Sequence, residues 1–167
     1  MNMAYSELIR FSRLKRIRRF LKAWHPFTLC SAKAQKEDTM KNNRMFFKCR
    51  TCGNIVGMIE DAGSPIVCCG QAMTLLTANT EDAAKEKHVP VATRTSAGID
   101  VCIGEIPHPA TEAHHISWIT LAGENWTQRI SLKHTEEAKA SFLTQDEGPV
   151  SVYAYCNLHG LWATELR

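Results

Sequence analysis

The sequence predicts a mainly β protein, in which a small cysteine-rich metal knuckle module is followed by a seven-stranded immunoglobulin-like β-sandwich. A basic segment, expected to be helical, precedes both. Three observations lead to this prediction: basic residues concentrate before residue 45, four of the seven cysteines fall between residues 49 and 69, and alternating apolar segments recur from residue 88 onward. A chain of 167 residues accommodates one ordinary domain or two small ones.

The first segment, residues 1–44, is predicted to be a basic N-terminal extension that is helical or disordered. It holds eleven Lys and Arg against three acids, whereas residues 45–167 hold nine against fourteen. Four apolar residues of the extension have helical spacing: Leu14, Ile17, Leu21 and Trp24. This pattern predicts a basic amphipathic helix ending at Pro26, of a kind that binds anionic membranes or nucleic acid. The alternative is that translation starts at Met40 or Met45, downstream of the extension.

The second segment, residues 45–80, is predicted to be the metal module. Cys49 and Cys52 form a C-x-x-C knuckle, and after fifteen intervening residues the adjacent pair Cys68 and Cys69 completes a set of four thiolates. An all-sulfur tetrahedral site suits zinc or iron. Adjacent side chains on an extended chain point to opposite faces, so both members of the pair reach one metal only if the backbone bends sharply there.

The third segment, residues 81–167, is predicted to be the sandwich. Seven short segments with period-two alternation suggest its strands: HVPVATRT, IDVCIGE, HISWITLA, WTQRISL, ASFLT, VSVYAYC and LWATEL. In the sixth, alternation places Cys156 at the end of a core-facing row that begins at Val150, which is a rigid position for a metal ligand. Cys102, in the second, is expected to be buried or half-buried.

Histidines are the candidate partners of the Cys156 thiolate. His159 lies three residues after it in a C-x-x-H pair, and three other histidines lie in predicted loops or strand ends: His88, His108 and His114. His115 leaves one ambiguity, since it directly follows His114. The absence of an apolar run of 18 residues argues against a membrane span. Clustered cysteines in odd number favour metal ligation in a reducing compartment, which we expect to be the cytoplasm.

These motifs resemble a known family. Residues 45–76, with CGNIV and VCCGQAM, resemble desulforedoxin, a small relative of rubredoxin that holds iron by a C-x-x-C and a C-C pair. The segments KEKHVP, HPATEAH and YCNLHG resemble the neelaredoxin-like domain of superoxide reductases. In this order the two modules resemble desulfoferrodoxin, the two-iron form of that enzyme, over residues 45–167.

The resemblance implies two iron centres. One would be held by Cys49, Cys52, Cys68 and Cys69, and the catalytic one by four equatorial histidines and an axial cysteine: His88, His108, His114, His159 and Cys156. It further implies reduction of superoxide to hydrogen peroxide without release of dioxygen. Lys87 would attract the anion and orient a proton-delivering water, and Glu86 would cap the sixth position of the oxidised iron. A rubredoxin-type electron donor and a homodimer are also implied.

Two other functions compete with this interpretation. The first is a structural zinc protein whose basic extension binds nucleic acid, which leaves the histidines and Cys156 unexplained. The second is an oxygenase with two histidines and one carboxylate around its iron, for which Glu86 or Glu112 would have to approach the histidines. The family resemblance favours neither, so nucleic acid is not an expected partner.

Overall fold

A computed structural model describes residues 44–79 and 85–167, so the predicted helix of residues 1–44 lies, except for Arg44, outside the described residues. Within these ranges the chain is mainly β, and no helix is long and apolar enough to cross a membrane. One short helix, α1, spans Lys85–His88. The strands are β1 Phe46–Lys48, β2 Ile55–Gly57, β3 Val67–Cys68, β4 Gln71–Ala72, β5 Thr74–Leu75, β6 Pro90–Arg94, β7 Gly98–Ile103, β8 Ile116–Ala122, β9 Thr127–Ser131, β10 Lys139–Leu143, β11 Val150–Cys156 and β12 Gly160–Leu166.

The first five strands are short and build two small antiparallel sheets. One has the order β2-β1-β5, and the other is the β3-β4 hairpin. Such short strands bury little apolar surface, and Phe46, Cys49 and Met73 are the buried apolar residues among them. A module of this size therefore needs further stabilisation, from a bound metal or from a neighbouring surface.

The remaining seven strands form two antiparallel sheets, with the orders β10-β7-β6 and β12-β11-β8-β9. Each strand overlaps one of the seven segments predicted from alternation. The main core contains the inward-facing residues of both sheets, such as Ile99, Val101, Phe142, Val152 and Trp162. Cys156 belongs to this core, at the end of the row that begins at Val150, as predicted.

Strand β11 is buried on both faces, which alternation did not predict. Val150, Val152, Ala154 and Cys156 face the main core, while Ser151, Tyr153 and Tyr155 on the opposite face are buried as well. A second apolar cluster covers this outer face, in which the Phe46 ring lies 5.0 Å from Trp118 and 5.4 Å from Tyr153. The metal module therefore packs on the outside of the four-stranded sheet.

Two basic side chains, Arg44 just before the metal module and Lys48 within it, reinforce this packing. The Arg44 guanidinium donates to the carbonyl oxygens of Gly123 and Trp126 and to Thr127 Oγ1, at the β8-β9 turn. The Lys48 ammonium donates to the Tyr155 hydroxyl at 2.8 Å. Lys48 directly precedes Cys49, and Tyr155 directly precedes Cys156. This hydrogen bond therefore connects the chain next to Cys49 with the chain next to Cys156.

Candidate metal centres

The first candidate centre contains the four cysteines of the metal module. Cys49 follows β1 and Cys68 ends β3, while Cys52 and Cys69 lie in the adjoining turns. Their four Sγ atoms all lie within 4.8 Å of one another. Cys68 Sγ is 3.6 Å from that of Cys52 and 3.9 Å from that of Cys69. A tetrahedral site with metal–sulfur bonds of about 2.3 Å has sulfur–sulfur edges of about 3.8 Å, so these thiols fit such a metal.

The sharp bend predicted from the adjacent cysteines is present. Cys69 has a φ of 51°, and Gly70 continues in the same left-handed region with a φ of 77°. Left-handed backbone is costly for a residue with a side chain, so a compensating interaction is expected where it occurs. The bend brings the Cys69 sulfur to the same side as that of Cys68, which a regular strand would prevent.

The four thiols do not lose their protons equally easily, because their mutual contacts shift their pKa values in opposite directions. The backbone N–H of Cys52 lowers the pKa of Cys49 to about 6, whereas hydrogen bonding with the Cys52 sulfur raises the pKa of Cys69 to about 12. The same kind of contact raises the pKa of Cys68. Four thiolates therefore coexist here only beside a cation that neutralises them, which is the chemistry of an iron or zinc site.

The second candidate centre lies at one end of the sandwich. His88 ends α1, His108 lies in the turn after β7, and His114 directly precedes the loop residue that leads into β8. Cys156 ends β11, and His159 belongs to the turn between β11 and β12. Three chain segments thus converge on this site: α1, the loop between β7 and β8, and the hairpin of β11 and β12.

The four imidazoles form a nearly square arrangement. Going round it, the ring centroids of His88 and His108 are 4.8 Å apart, those of His108 and His114 4.5 Å, those of His114 and His159 4.8 Å, and those of His159 and His88 4.7 Å. Neighbouring rings are nearly perpendicular, at 75° to 85°, while the opposite rings of His88 and His114 lie at 26°. Four imidazoles arranged in this way fit the equatorial ligands of one metal ion.

Some ring nitrogens of the square lie close together, and others are buried without a partner among the described residues. His88 Nε2 and His159 Nδ1 lie only 2.9 Å apart. His108 uses its Nδ1 for the Pro109 carbonyl oxygen at 2.8 Å, which leaves its buried Nε2 without a hydrogen-bond partner among the described residues. The buried Nε2 of His114 has none either. Buried nitrogens without partners are unfavourable unless they bind a ligand, so these atoms fit a metal.

The protonation states of the histidines suit metal binding. Burial lowers the pKa of His108 to about 4, although the Pro109 carbonyl opposes the shift. Burial also lowers the pKa of His114, and the neighbouring charges of His159, His88 and Lys87 lower it further. Neutral imidazole is the form that binds metal ions, so these two rings are ready to bind at neutral pH.

Cys156 lies beneath the histidines with its side chain fully buried. Its Sγ is 3.5 Å from His159 Nδ1, and the ligand atoms of His88, His114, Cys156 and His159 all lie within 4.8 Å of one another. His108 falls outside that group of four but borders it through its ring contacts. Burial raises the pKa of the Cys156 thiol, while the N–H groups of His159 and Leu158 oppose the shift. A buried thiolate requires an adjacent cation, and a metal supplies one.

The structure places His114, rather than His115, in the cluster. The His115 ring is instead 6.0 Å from that of His134, and its Nδ1 is 3.1 Å from the Thr111 carbonyl oxygen. Both carboxylates considered for an oxygenase site, Glu86 and Glu112, are exposed, and neither belongs to a potential metal cluster of the described residues.

Glu86 and Lys87 lie in α1, next to His88. Glu86 is exposed and Lys87 is half-buried. Lys87 is close enough to the site for its charge to act on His114. The positions of both residues thus border the imidazole square without belonging to it.

The prediction for Cys102 was wrong, because this side chain is exposed. It alternates with the buried residues Val101 and Ile103 on β7, so it lies on the outer face of the three-stranded sheet. Nothing in the described part of the chain covers that face at Cys102. Cys30 lies outside the described residues.

Two residues that belong to none of the metal-binding motifs hold the candidate ligands in place. The Trp162 ring is fully buried and stacks on His88 at 4.9 Å, while its Nε1 donates to the His159 carbonyl oxygen at 3.1 Å. The Asn157 amide donates to Ala113 O at 3.0 Å and accepts from His115 N at 2.9 Å, on either side of His114. Alternation predicted the strand that carries Trp162, but the sequence carries no signal for the long-range contacts of Asn157.

Comparison with known proteins agrees with this geometry. The family model described as Desulfoferrodoxin matches residues 80–165, and the model of the desulfoferrodoxin N-terminal domain matches residues 41–76. The chain is 47% identical to a desulfoferrodoxin of Syntrophotalea carbinolica over 121 residues, which cover 71% of this chain and 94% of that protein. It is 38% identical to a superoxide reductase of Thermococcus kodakarensis over 99 residues, covering 48% and 86%.

A solved structure is similar as well. The superoxide reductase from Treponema pallidum aligns with a TM-score of 0.61 and 28% identity, covering 72% of this chain and 96% of that one. Sequence and fold relatives therefore extend over both candidate centres. The chain belongs to the desulfoferrodoxin family.

Proposed function

We propose that this protein is a superoxide reductase, which converts superoxide to hydrogen peroxide at a mononuclear non-haem iron without releasing dioxygen. The ligands in this proposal are His88, His108, His114 and His159 around the iron and Cys156 beneath it. The observation that supports it most directly is the square of four imidazoles with a buried thiol on one side. Relatives from Thermococcus kodakarensis and Treponema pallidum are named superoxide reductases.

The reaction consumes one superoxide, one electron and two protons for each hydrogen peroxide. Iron bound at this site supplies the electron. The residues of the chain determine from which side superoxide arrives: Cys156 lies in the core, so the anion approaches from the other side, where His114 and His159 are half-exposed. The Cys156 thiolate adds negative charge beneath the site and makes it a better electron donor.

Lys87 and Glu86 act from the edge of the site in this proposal. Lys87 provides a positive charge beside the entrance, which attracts superoxide and orients a proton-delivering water. Glu86 is the carboxylate that would cap the open position of an oxidised iron and withdraw when the iron is reduced. The position of both residues in α1, next to His88, and the proximity of Lys87 to His114 support these roles.

The four-cysteine centre binds a second iron, and we propose that it stores or relays electrons. Its four thiolates complete a tetrahedral shell, so superoxide has no open position there. Since each turnover consumes an electron, an external donor is required, and we propose a rubredoxin-type protein. A homodimer is also part of the proposal, and the open edge strands of the two larger sheets are compatible with it.

The architecture proposed for the whole chain has three parts: a basic N-terminal extension over residues 1–44, a desulforedoxin-like domain over 45–80 and a catalytic domain over 81–167. Seven strands in sheets of three and four support an immunoglobulin-like sandwich for the last part. Exposed cysteines in the four-thiol cluster suit a reducing compartment, and we propose the cytoplasm.

The decisive experiment uses the full chain purified without added metal. Iron is quantified, the absorption spectrum is recorded, and the reduced protein is mixed rapidly with superoxide while hydrogen peroxide and dioxygen are measured. We expect iron at both centres, visible absorption from thiolate-bound ferric iron and peroxide without dioxygen. A colourless zinc protein, or the release of one dioxygen for every two superoxides, would refute the proposal.

A further inference from the structure

The turn that follows β7 packs its backbone against the segment that carries Lys87 and His88. The Gly104 N–H donates to the Val89 carbonyl oxygen at 3.0 Å, and the Ile106 N–H donates to the Glu86 carbonyl oxygen at 3.0 Å. One hydrogen bond lies before Lys87 and the other after His88. The turn therefore holds the backbone on both sides of these two residues.

Gly104 is the point of closest approach. Its φ is 81°, and a Cβ built on it would lie 2.7 Å from both the Cα and the carbonyl carbon of Lys87, and 2.6 Å from the Ile106 carbonyl oxygen. Cβ contacts under 3.0 Å essentially do not occur in proteins, and all three of these atoms belong to the backbone. No side-chain rotation relieves such a clash. Any side chain at position 104 must displace either the turn or Lys87.

We infer that Gly104 is a positioning residue for Lys87, since only a glycine lets the β7 turn pack directly on the Lys87 backbone and hold this residue beside His88 at the edge of the imidazole site. This inference rests on the proposed function and extends it from the ligands to the turn beneath α1. A displacement of about 1 Å in a residue that steers a substrate is enough to change a reaction rate substantially.

Two comparison variants separate the clash from backbone strain. Gly63 has a φ of 76°, close to that of Gly104, but nothing lies within 4 Å of a Cβ built on it. Gly63→Ala therefore introduces the strain without the clash. Gly104→Asn introduces the clash with a residue type that tolerates left-handed backbone. If the clash matters, Gly104→Ala and Gly104→Asn behave alike and Gly63→Ala behaves like the unmodified protein.

The kinetic test measures the second-order rate constant with superoxide in the iron-loaded protein. We expect Gly104→Ala to lower it roughly 10-fold at low ionic strength, with a weaker salt dependence and an unchanged iron content. In a Lys87→Ala background, Gly104→Ala should add little, because the group that it misplaces is already absent. An equal loss of rate in both backgrounds, or no loss in either, would overturn the inference.

A second readout does not depend on activity. Amide hydrogen exchange should show protected N–H groups at Gly104 and Ile106 in the unmodified protein, and faster exchange at Ile106 in Gly104→Ala but not in Gly63→Ala. If neither variant at position 104 folds, exchange in the unmodified protein still tests the inference. Rapid exchange at the Gly104 and Ile106 amides would contradict the packing. Absence of any superoxide reaction would refute the proposed function and leave this exchange pattern as predicted.

Discussion

His114 and His115 are neighbours in the chain, yet their side chains have different surroundings. His114 turns its buried Nε2 toward the imidazole square, whereas the His115 ring lies near His134. The Asn157 side chain binds the backbone on both sides of His114, which fixes the local chain direction. At the scale of single residues, the site therefore depends on groups that themselves bind no metal.

We predict that Asn157→Ala weakens iron binding at the histidine site. The substitution removes the hydrogen bonds to Ala113 and His115, and losses of this kind typically reduce metal affinity 10- to 100-fold. Iron content should fall toward one per chain when the protein is dialysed against a weak chelator. Asn125→Ala, at an exposed loop position, is the matched control. Equal iron retention in the two variants would contradict the prediction.

Lys87→Ala should slow the reaction with superoxide while the iron content remains normal. A positive charge beside the entrance raises the encounter rate of an anion about 10-fold or more, and salt screens this effect. The measurement is the rate constant across a series of ionic strengths, whose dependence should become flatter. Lys85→Ala, an exposed lysine of the same helix, serves as the control. Identical salt dependence in Lys87→Ala and the unmodified protein would remove Lys87 from the mechanism.

The sequence could point to the candidate ligands because their signals are local. C-x-x-C, C-C, H-P-x4-H and C-x-x-H are short motifs, and the order of these motifs matches a family. Contacts between segments distant in the chain leave no such signal. His88 and His159 are 71 residues apart, and Asn157 lies 44 residues from Ala113, so only the folded chain shows that they meet.

Strand β11 shows the same limit at the scale of elements. Alternation correctly assigned Val150 and Cys156 to the core face, but it gave no sign that Tyr153 and Tyr155 on the other face are buried as well. They are buried because the metal module covers them, which is a property of two segments packed together. Cys102 shows the opposite error, since no residue within 44–79 or 85–167 covers the outer face of β7 at this thiol, which is exposed.

Phe46→Ala should destabilise the protein by about 3 kcal/mol, at the lower end of values for removing a buried aromatic ring. Phe46 is 7% exposed and contacts the rings of Trp118 and Tyr153, so its loss leaves a cavity between the module and the four-stranded sheet. Denaturant unfolding measures the change. Phe47→Ala, at the half-buried neighbouring position, should cost clearly less. Similar losses for both variants would contradict the packing described.

The loop between β10 and β11 should make stability depend on pH. Trp126 Nε1–H and then the Gly148 N–H lower the pKa of Asp146, and both donate to its carboxylate. A lowered pKa in the folded state means that the carboxylate stabilises the fold above its unfolded pKa of about 3.9, and that this contribution is lost as the pH falls through the folded value.

Asp146→Asn should therefore unfold more easily than the unmodified protein at pH 7, with the difference shrinking below about pH 4. Free energies of unfolding at several pH values measure this. Glu147→Gln, at the exposed next position, should show little difference at any pH. A deficit of Asp146→Asn that stays constant down to low pH would show that the charge of Asp146 is not involved.

At the scale of the whole molecule, the two centres share no ligand but share a packed surface. The four-thiol module packs on the sheet that supplies Cys156, and Lys48 binds Tyr155 between them. The metal of the module therefore stabilises more than its own strands, while the chemistry of the histidine site remains separate. Binding to the folded state alone raises the stability of everything that unfolds with it.

Cys69→Ala should remove the iron of the first centre and lower the midpoint of thermal unfolding, because three thiolates hold the metal less well than four. A single-turnover reaction of the reduced protein with superoxide should still yield hydrogen peroxide. Iron analysis, a thermal scan and the peroxide assay test these outcomes. Cys102→Ser changes a thiol outside both clusters and should retain all iron. Loss of peroxide formation in Cys69→Ala alone would assign the first centre a direct part in the reaction.

The hairpin of β11 and β12, which carries Cys156 and His159, also sets the order in which the two centres mature during synthesis on the ribosome. Cys49 to Cys69 emerge within 21 consecutive residues and are all available to a metal early. The imidazole square stays incomplete until His159 has been made, long after His88. A nascent chain is therefore able to acquire its first metal well before it becomes competent to react.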